Sequence, residues 1–167
     1  MKSFYIIIRG PLGVGKTTIS KEIAKTLKAK IFHIDKILEE IKLDKVDENL
    51  GCIPSKNFLK ADEFILPQIK ELLDKGKAII IDGCFYHKEQ LEDLKENLKN
   101  YKGYIFTLKA SLETCTSRDS NRAKSYGSGA SEVVYKLVSK FDYGDVINSE
   151  GKNIKQVTNE ILKKTKK

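Results

Sequence analysis

Short, unbroken apolar runs alternate along this chain with longer segments whose apolar residues recur at helical spacing. The runs are FYIII (4–8), IFHI (31–34), AIIID (78–82), GYIFTLKA (103–110) and DVIN (145–148). Runs that are continuously apolar, rather than apolar and polar in alternation, fit strands buried on both faces. The segment TTISKEIAKTLK (17–28) places Ile19, Ile23, Ala24 and Leu27 on one helical face. Helices are also predicted over 35–43, 58–76, 87–100, 111–119, 131–141 and 153–164. Gly76 ends the second of these, Pro67 predicts a bend within it, and Ser111 and Ser131 read as N-caps. Residues 44–57, with Gly51 and Pro54, read as irregular, and SYGSGAS (125–131) as a flexible break. Strands alternating with helices predict an α/β fold: a mostly parallel sheet with helices on both faces.

The length of 167 residues suits one domain spanning 1–167, and no repeat or linker divides it. No run approaches the roughly twenty apolar residues of a membrane span, so no membrane partner is expected. The apolar part of MKSFYIIIRG is short and lacks a small-residue cleavage site, so it reads as a buried strand rather than a signal peptide. Cys52, Cys84 and Cys115 are widely spaced without a CxxC pair and read as reduced thiols of a cytoplasmic protein. Neither His33 nor His87 has a partner at zinc-ligand spacing. Net charge is +8, with lysines spread through every segment, which reads as a solvated basic surface; nucleic acid stays open as a partner. Only three of the 31 basic residues are arginine: Arg9, Arg118 and Arg122.

The sharpest motif lies between the first run and the first helix. Gly10-Pro11-Leu12-Gly13-Val14-Gly15-Lys16-Thr17 fits GxxxxGK[ST], and Thr18 follows. Glycines let a backbone fold around a phosphate with its N–H groups pointing inward. The helix that the loop opens adds partial positive charge at its N-terminus. Lys16 is placed to reach the β- and γ-phosphates, and the Thr17 hydroxyl to ligate Mg²⁺. ATP with Mg²⁺ is therefore the expected ligand pair.

The loop alone does not choose between switch, motor and kinase. No N/T-K-x-D base-reading motif is present, which argues against a GTPase switch, and the chain is short for a motor ATPase. Asp35 ends the second strand, on the sheet edge where parallel strands present ligands. A carboxylate there is placed to take a proton from an attacking hydroxyl; the alternative is an N-cap for the next helix. Asp82 closes AIIID before Gly83 and reads as a carboxylate beside Mg²⁺, or else as a turn residue. Arg118 and Arg122, at i, i+4 spacing, precede the glycine-serine break and read as lid arginines over 118–131. Their planar donor forks suit phosphate oxygens in a way lysine does not.

Taken together, GPLGVGKTT, HIDK, IIIDG, LKASLETCTSRDSNR and GDVINSEG resemble the small P-loop kinases of the shikimate kinase, gluconate kinase, zeta toxin and polynucleotide 5′-kinase type. The likeness runs over nearly the whole chain. It implies a three-layer P-loop NTPase fold with a five-stranded parallel sheet in the order 2-3-1-4-5, and transfer of the ATP γ-phosphate to a hydroxyl. It places Asp35 where the polynucleotide kinases activate that hydroxyl, and matches Arg118 and Arg122 to the lid RxxxR. It also assigns the loop around Asn148 to Lys152 to adenine.

The acceptor is not legible. Between Arg9 and Arg118 there is no arginine to grip an acceptor phosphate, which counts against a nucleoside monophosphate kinase. A polynucleotide kinase usually has an arginine soon after its catalytic Asp, and here Lys36 stands nearest. Phe58, Phe64, Phe85, Tyr86 and His87 are candidates for an acceptor wall, or for core packing. The leading expectation is a kinase, monomeric or homodimeric, acting on a small molecule or nucleoside with a hydroxyl. Polynucleotide 5′-hydroxyl or nucleoside monophosphate kinase activity, and a non-catalytic nucleotide-binding regulator, stay open as alternatives.

Overall fold

A computed structural model of the chain describes residues 3–121 and 129–166. Five strands and seven helices follow in the order β1 (Phe4–Arg9), α1 (Lys16–Leu27), β2 (Lys30–His33), α2 (Ile34–Glu40), α3 (Ser55–Asp74), β3 (Ile79–Gly83), α4 (Lys88–Asn97), β4 (Lys102–Lys109), α5 (Leu112–Ser120), α6 (Ala130–Val138), β5 (Asp145–Asn148) and α7 (Ile154–Thr165). The strands form one sheet in the order β2-β3-β1-β4-β5, and every pairing is parallel. This is the order and direction that the family resemblance implied.

Alternate residues of each strand point to opposite faces, and both faces are covered. Tyr5 and Ile7 of β1, with Ile79 and Ile81 of β3, pack with Phe58, Ile65 and Ile69 of α3 and Leu91 and Leu94 of α4. Ile6, Ile8, Ile80, Phe106 and Leu108 pack on the other side with Ile19 and Ile23 of α1 and Val157 and Ile161 of α7. That two-sided burial is why the strands read as continuous apolar runs. Among the described residues no helix is long and apolar enough to cross a membrane.

Most boundaries shift only slightly from expectation, and the larger shifts have local causes. The helix expected from 58 begins at Ser55, because Pro54 holds the extended N-cap and its carbonyl accepts from the Asn57 N–H at 3.0 Å. It runs on through Pro67, and Gly76, at φ +76°, follows its C-cap. Ser111 caps α5 as expected, accepting from the Thr114 N–H at 3.1 Å. Ser131 does not cap α6. Gly129, at φ +82°, holds that position, and Ser131 is buried in the first turn. The same helix stops at Val138 rather than near 141. The Arg9 guanidinium takes the carbonyls of Val138 and Phe141, each at 3.0 Å, and so ends the ladder.

Register brings the site together. His33 lies opposite Asp82, and Asp82 opposite Ile8, so β1, β2 and β3 end side by side. The loop after β1, the start of α2 and the turn after β3 therefore share one sheet edge.

Candidate active site

The loop between β1 and α1 is seated by its side chains and shaped by its glycines. Leu12 and Val14 are buried, which fastens the loop to the core. Gly13 sits at φ +77°, and a Cβ there would meet the Cys115 carbonyl oxygen at 2.0 Å, so no other residue fits without moving α5. Gly15, at φ +104°, is the N-cap of α1 and supplies no side-chain cap. The first-turn N–H groups of α1 are thus left without a side-chain acceptor, as a helix that receives an anion requires. Lys16 is buried and folded toward the loop: its Nζ donates to the Pro11 carbonyl at 2.8 Å and lies 3.7 Å from Cys84 Sγ. Burial pushes the Cys84 thiol up to about 12, so beside this ammonium it stays a neutral acceptor. Thr17 is half-buried and Thr18 exposed.

Asp82 ends the apolar run of β3 and is buried, with its Oδ1 accepting from His33 Nδ1 at 2.7 Å. Its Oδ2 is buried and has no hydrogen-bond partner among the described residues. An unpaired buried carboxylate oxygen is costly, and next to a phosphate-binding loop it fits a cation or a water held by one. Among the described residues, no cluster of three or more His, Cys, Asp or Glu forms a metal cage. Mg²⁺ beside a nucleotide needs no such cage, since it binds through one or two protein oxygens plus phosphates and water.

Asp35 lies in the first turn of α2 and is half-buried. It is not the N-cap: His33 occupies that position, without a side-chain capping bond. Burial raises the Asp35 carboxyl above its ordinary range; Lys16 and His33 oppose this, while Asp82 and Glu39 add to it. Lys16, His33 and Asp82 act on Asp35 because the sheet edge gathers them, while Glu39 lies one turn further along α2, and a carboxylate of raised basicity suits proton acceptance.

A cavity of about 420 Å³ opens beside Asp35. It is lined by Leu12 of the loop, Phe58 of α3, Cys84 and Tyr86 after β3, and Val133, Val134 and Leu137 of α6, among others. Of the five candidate wall residues, Phe58 and Tyr86 line it and three do not. Phe85 is buried in the sheet core, Phe64 is exposed, and His87 Nε2 pairs with the Ile53 carbonyl at 2.8 Å. The α6 wall carried no signal in the sequence beyond helical periodicity.

A second cavity, about 400 Å³, lies on the other side of the loop and is lined by Gly15, Thr18, Arg118, Ser149, Lys152 and Asn153 among others. Arg118 of α5 is therefore brought to the loop. Arg122 and half of the expected lid, residues 122–128, lie outside the described residues. Asn148 does not line this cavity: its Oδ1 accepts from the Glu150 N–H at 2.9 Å, and the turn presents Ser149, Lys152 and Asn153 instead. Arg9 was missed as well. It is fully buried beneath the loop, bonded to Thr107 Oγ1 at 3.1 Å and stacked on Phe141 at 4.4 Å, and it ties the base of α6 to β1. A lone arginine inside an apolar strand was the available signal.

Comparison with known proteins places the chain in a family and supports its fold. A family model described as AAA domain matches residues 6–142. The shikimate kinase of Thermodesulfovibrio yellowstonii is 23% identical, over 95% of this chain and 92% of its own length. Among solved structures, a sugar kinase from Janibacter superposes with a TM-score of 0.76 at 15% identity, covering 96% of this chain and 93% of that one. The APS kinase CysC of Mycobacterium tuberculosis, in complex with AMPPNP and APS, reaches 0.72 at 10% identity, covering 99% of each chain. At these identities the structural likeness speaks to the fold.

Proposed function

The chain belongs to the AAA-domain family, its relatives above are kinases, and from that premise we propose that it transfers the γ-phosphate of ATP to a hydroxyl held in the cavity beside Asp35. The observation that carries the reading is the meeting at one sheet edge of Lys16, Asp35 and Asp82 with a cavity of about 420 Å³. The loop backbone and Lys16 hold the phosphates, with Lys16 exchanging the Pro11 carbonyl for phosphate oxygen. The second cavity takes the nucleoside, with Arg118, Ser149, Lys152 and Asn153 around it.

Asp35 accepts the hydroxyl proton as the acceptor oxygen approaches phosphorus, which is the geometry phosphoryl transfer needs. Arg118 contributes positive charge toward the transferred group. When bound, Mg²⁺ would neutralise phosphate charge; Thr17 and Asp82 Oδ2 are the side chains that fit it, directly or through water. Because α6 forms one wall of the acceptor cavity and Arg9 anchors its base to β1, acceptor and nucleotide sides share one rigid support.

The test is transfer of label from γ-labelled ATP to a panel of alcohols, with Mg²⁺ and with a chelator. Acceptor-dependent, Lys16-dependent product supports the reading. ATP binding without product from any acceptor class would instead favour a nucleotide-binding regulator.

A further inference from the structure

Helix α5 joins three features of the nucleotide side. Its N-cap is Ser111, Thr114 and Cys115 follow one turn on, and Arg118 lies one turn beyond them. The Cys115 carbonyl backs onto the phosphate loop, where a Cβ on Gly13 would meet it at 2.0 Å. Arg118 lines the second cavity together with Ser149, Lys152 and Asn153 of the turn after β5. The place of α5 therefore decides where Arg118 stands relative to both the loop and that turn.

The start of α5 is held from the same turn. Glu150 Oε2 accepts from the Ser111 N–H at 2.7 Å, and Oε1 from the Thr114 hydroxyl at 2.6 Å. The turn is itself fixed to the end of β4. The Ser149 N–H and hydroxyl both donate to the Lys109 carbonyl, at 2.8 and 3.0 Å. Within the turn, Asn148 Oδ1 accepts from the Glu150 N–H at 2.9 Å, and Gly151 takes φ +67°.

A carboxylate suits this place, because a helix start presents unpaired N–H groups and partial positive charge. The bonds from the Thr114 hydroxyl and the Ser111 N–H hold the Glu150 carboxyl below its ordinary range, and the charge of Arg118 acts in the same direction. Both bonds lie at the surface, so losing them leaves no buried polar group unpaired. What they fix is the spacing between the turn, α5 and the phosphate loop.

We infer that Glu150 is a positioning residue for the nucleotide: it holds the first turn of α5 so that Arg118 meets a nucleotide seated between the phosphate loop and residues 149–153. This rests on the kinase reading's placement of ATP, and adds to it a residue that acts through α5 and Arg118.

Calorimetric titration of the whole chain with ATP tests it. Glu150→Gln keeps the size but offers one acceptor oxygen where two are needed. ATP then binds about tenfold more weakly. In an Arg118→Ala background the same change costs less than about twofold, because its effect passes through the arginine. Thr114→Val keeps the charge and loses one of the two bonds, and weakens ATP by about threefold, again only with Arg118 present. Unchanged ATP affinity in Glu150→Gln overturns the inference. So does equal weakening with and without Arg118, which is what a merely structural contact would give. The kinase reading has its own readout in label transfer. An Arg118-dependent loss of ATP affinity without phosphorylated product from any acceptor upholds the role of Glu150 and overturns the kinase. Lys16-dependent product with ATP affinity indifferent to Glu150 does the reverse, and a wild type that binds no ATP overturns both.

Discussion

His33 Nδ1 lies 2.7 Å from Asp82 Oδ1, joining the ends of two neighbouring parallel strands across 49 positions of sequence. The bond orients the Asp82 carboxylate and leaves its second, buried oxygen without a hydrogen-bond partner among the described residues. Partners that hold a metal-side carboxylate in place tune the affinity of the site. His33→Ala is therefore expected to raise the Mg²⁺ concentration for half-maximal turnover by about tenfold. An unchanged Mg²⁺ titration, measured at saturating ATP, would remove His33 from this role.

Asp35 and Lys16 should separate cleanly in kinetics. Asp35→Asn keeps the shape and loses the proton acceptor, so turnover falls by about 100-fold or more while ATP affinity stays within about twofold. Lys16→Ala loses both, because the same ammonium serves binding and transfer. Fluorescent-nucleotide binding beside label transfer reads the two effects. Loss of ATP binding in Asp35→Asn, with transfer retained, would sink the assignment.

Asp62 gives a pH dependence of stability. It is fully buried between α3 and α4, and its Oδ1 accepts from Gln90 Nε2 at 3.0 Å. Asp62 Oδ2 and Gln90 Oε1 are both buried and unpaired among the described residues, and a carboxylic proton is the donor that this pair lacks. Burial raises the carboxyl from 3.8 to about 8, against the Gln90 bond, with Asp93 adding to the rise. The folded state thus holds the proton more tightly than the unfolded chain. Stability from this group is full below the unfolded value, falls as pH rises between the two values, and is flat above. Asp62→Asn, the neutral isostere, should flatten that slope and stabilise the protein above pH 8 by roughly 2–5 kcal/mol, at ~1.4 kcal/mol per pKa unit. Urea unfolding from pH 5 to 9 reads it, and a wild type with no slope over that range contradicts it.

Arg9 should act on stability and on the acceptor side together. Arg9→Met leaves the Val138 and Phe141 carbonyls and the Thr107 hydroxyl without the guanidinium. The expected loss is roughly 3 kcal/mol, since buried groups are left unpaired. Slackening of α6 should raise the acceptor KM more than the ATP KM. Equal effects on both constants would show that the anchor does not reach the acceptor wall.

Gly13 is expected to tolerate no side chain. In Gly13→Ala the Cβ would lie 2.0 Å from the Cys115 carbonyl oxygen at a positive φ, so the loop or α5 must shift. Nucleotide binding should fall at least tenfold, with a stability loss of roughly 2 kcal/mol. Wild-type ATP affinity in that variant would show that the loop adapts.

The phosphate loop, the five strands and the seven helices were legible because they are written locally. Glycine's freedom at positive φ, the spacing of Ile19 and Ile23, and the unbroken apolar run of residues 78–81 each act within a few positions of sequence. Asp82 was legible as a strand-end carboxylate for the same reason, whereas Asp35, expected to end the second strand, lies in the first turn of α2. What the chain did not show by itself depends on register and packing between distant segments. The His33–Asp82 bond needs β2 and β3 in one alignment, and the Arg9 anchor spans 129 and 132 positions to Val138 and Phe141. The choice of Tyr86 over His87 as cavity wall follows from His87 turning to the Ile53 carbonyl, and Asp35 of α2 and Leu137 of α6 come to line one cavity only in the closed fold. Local pattern sets which elements form, whereas the partner of each side chain is fixed by which elements the closed sheet brings into contact.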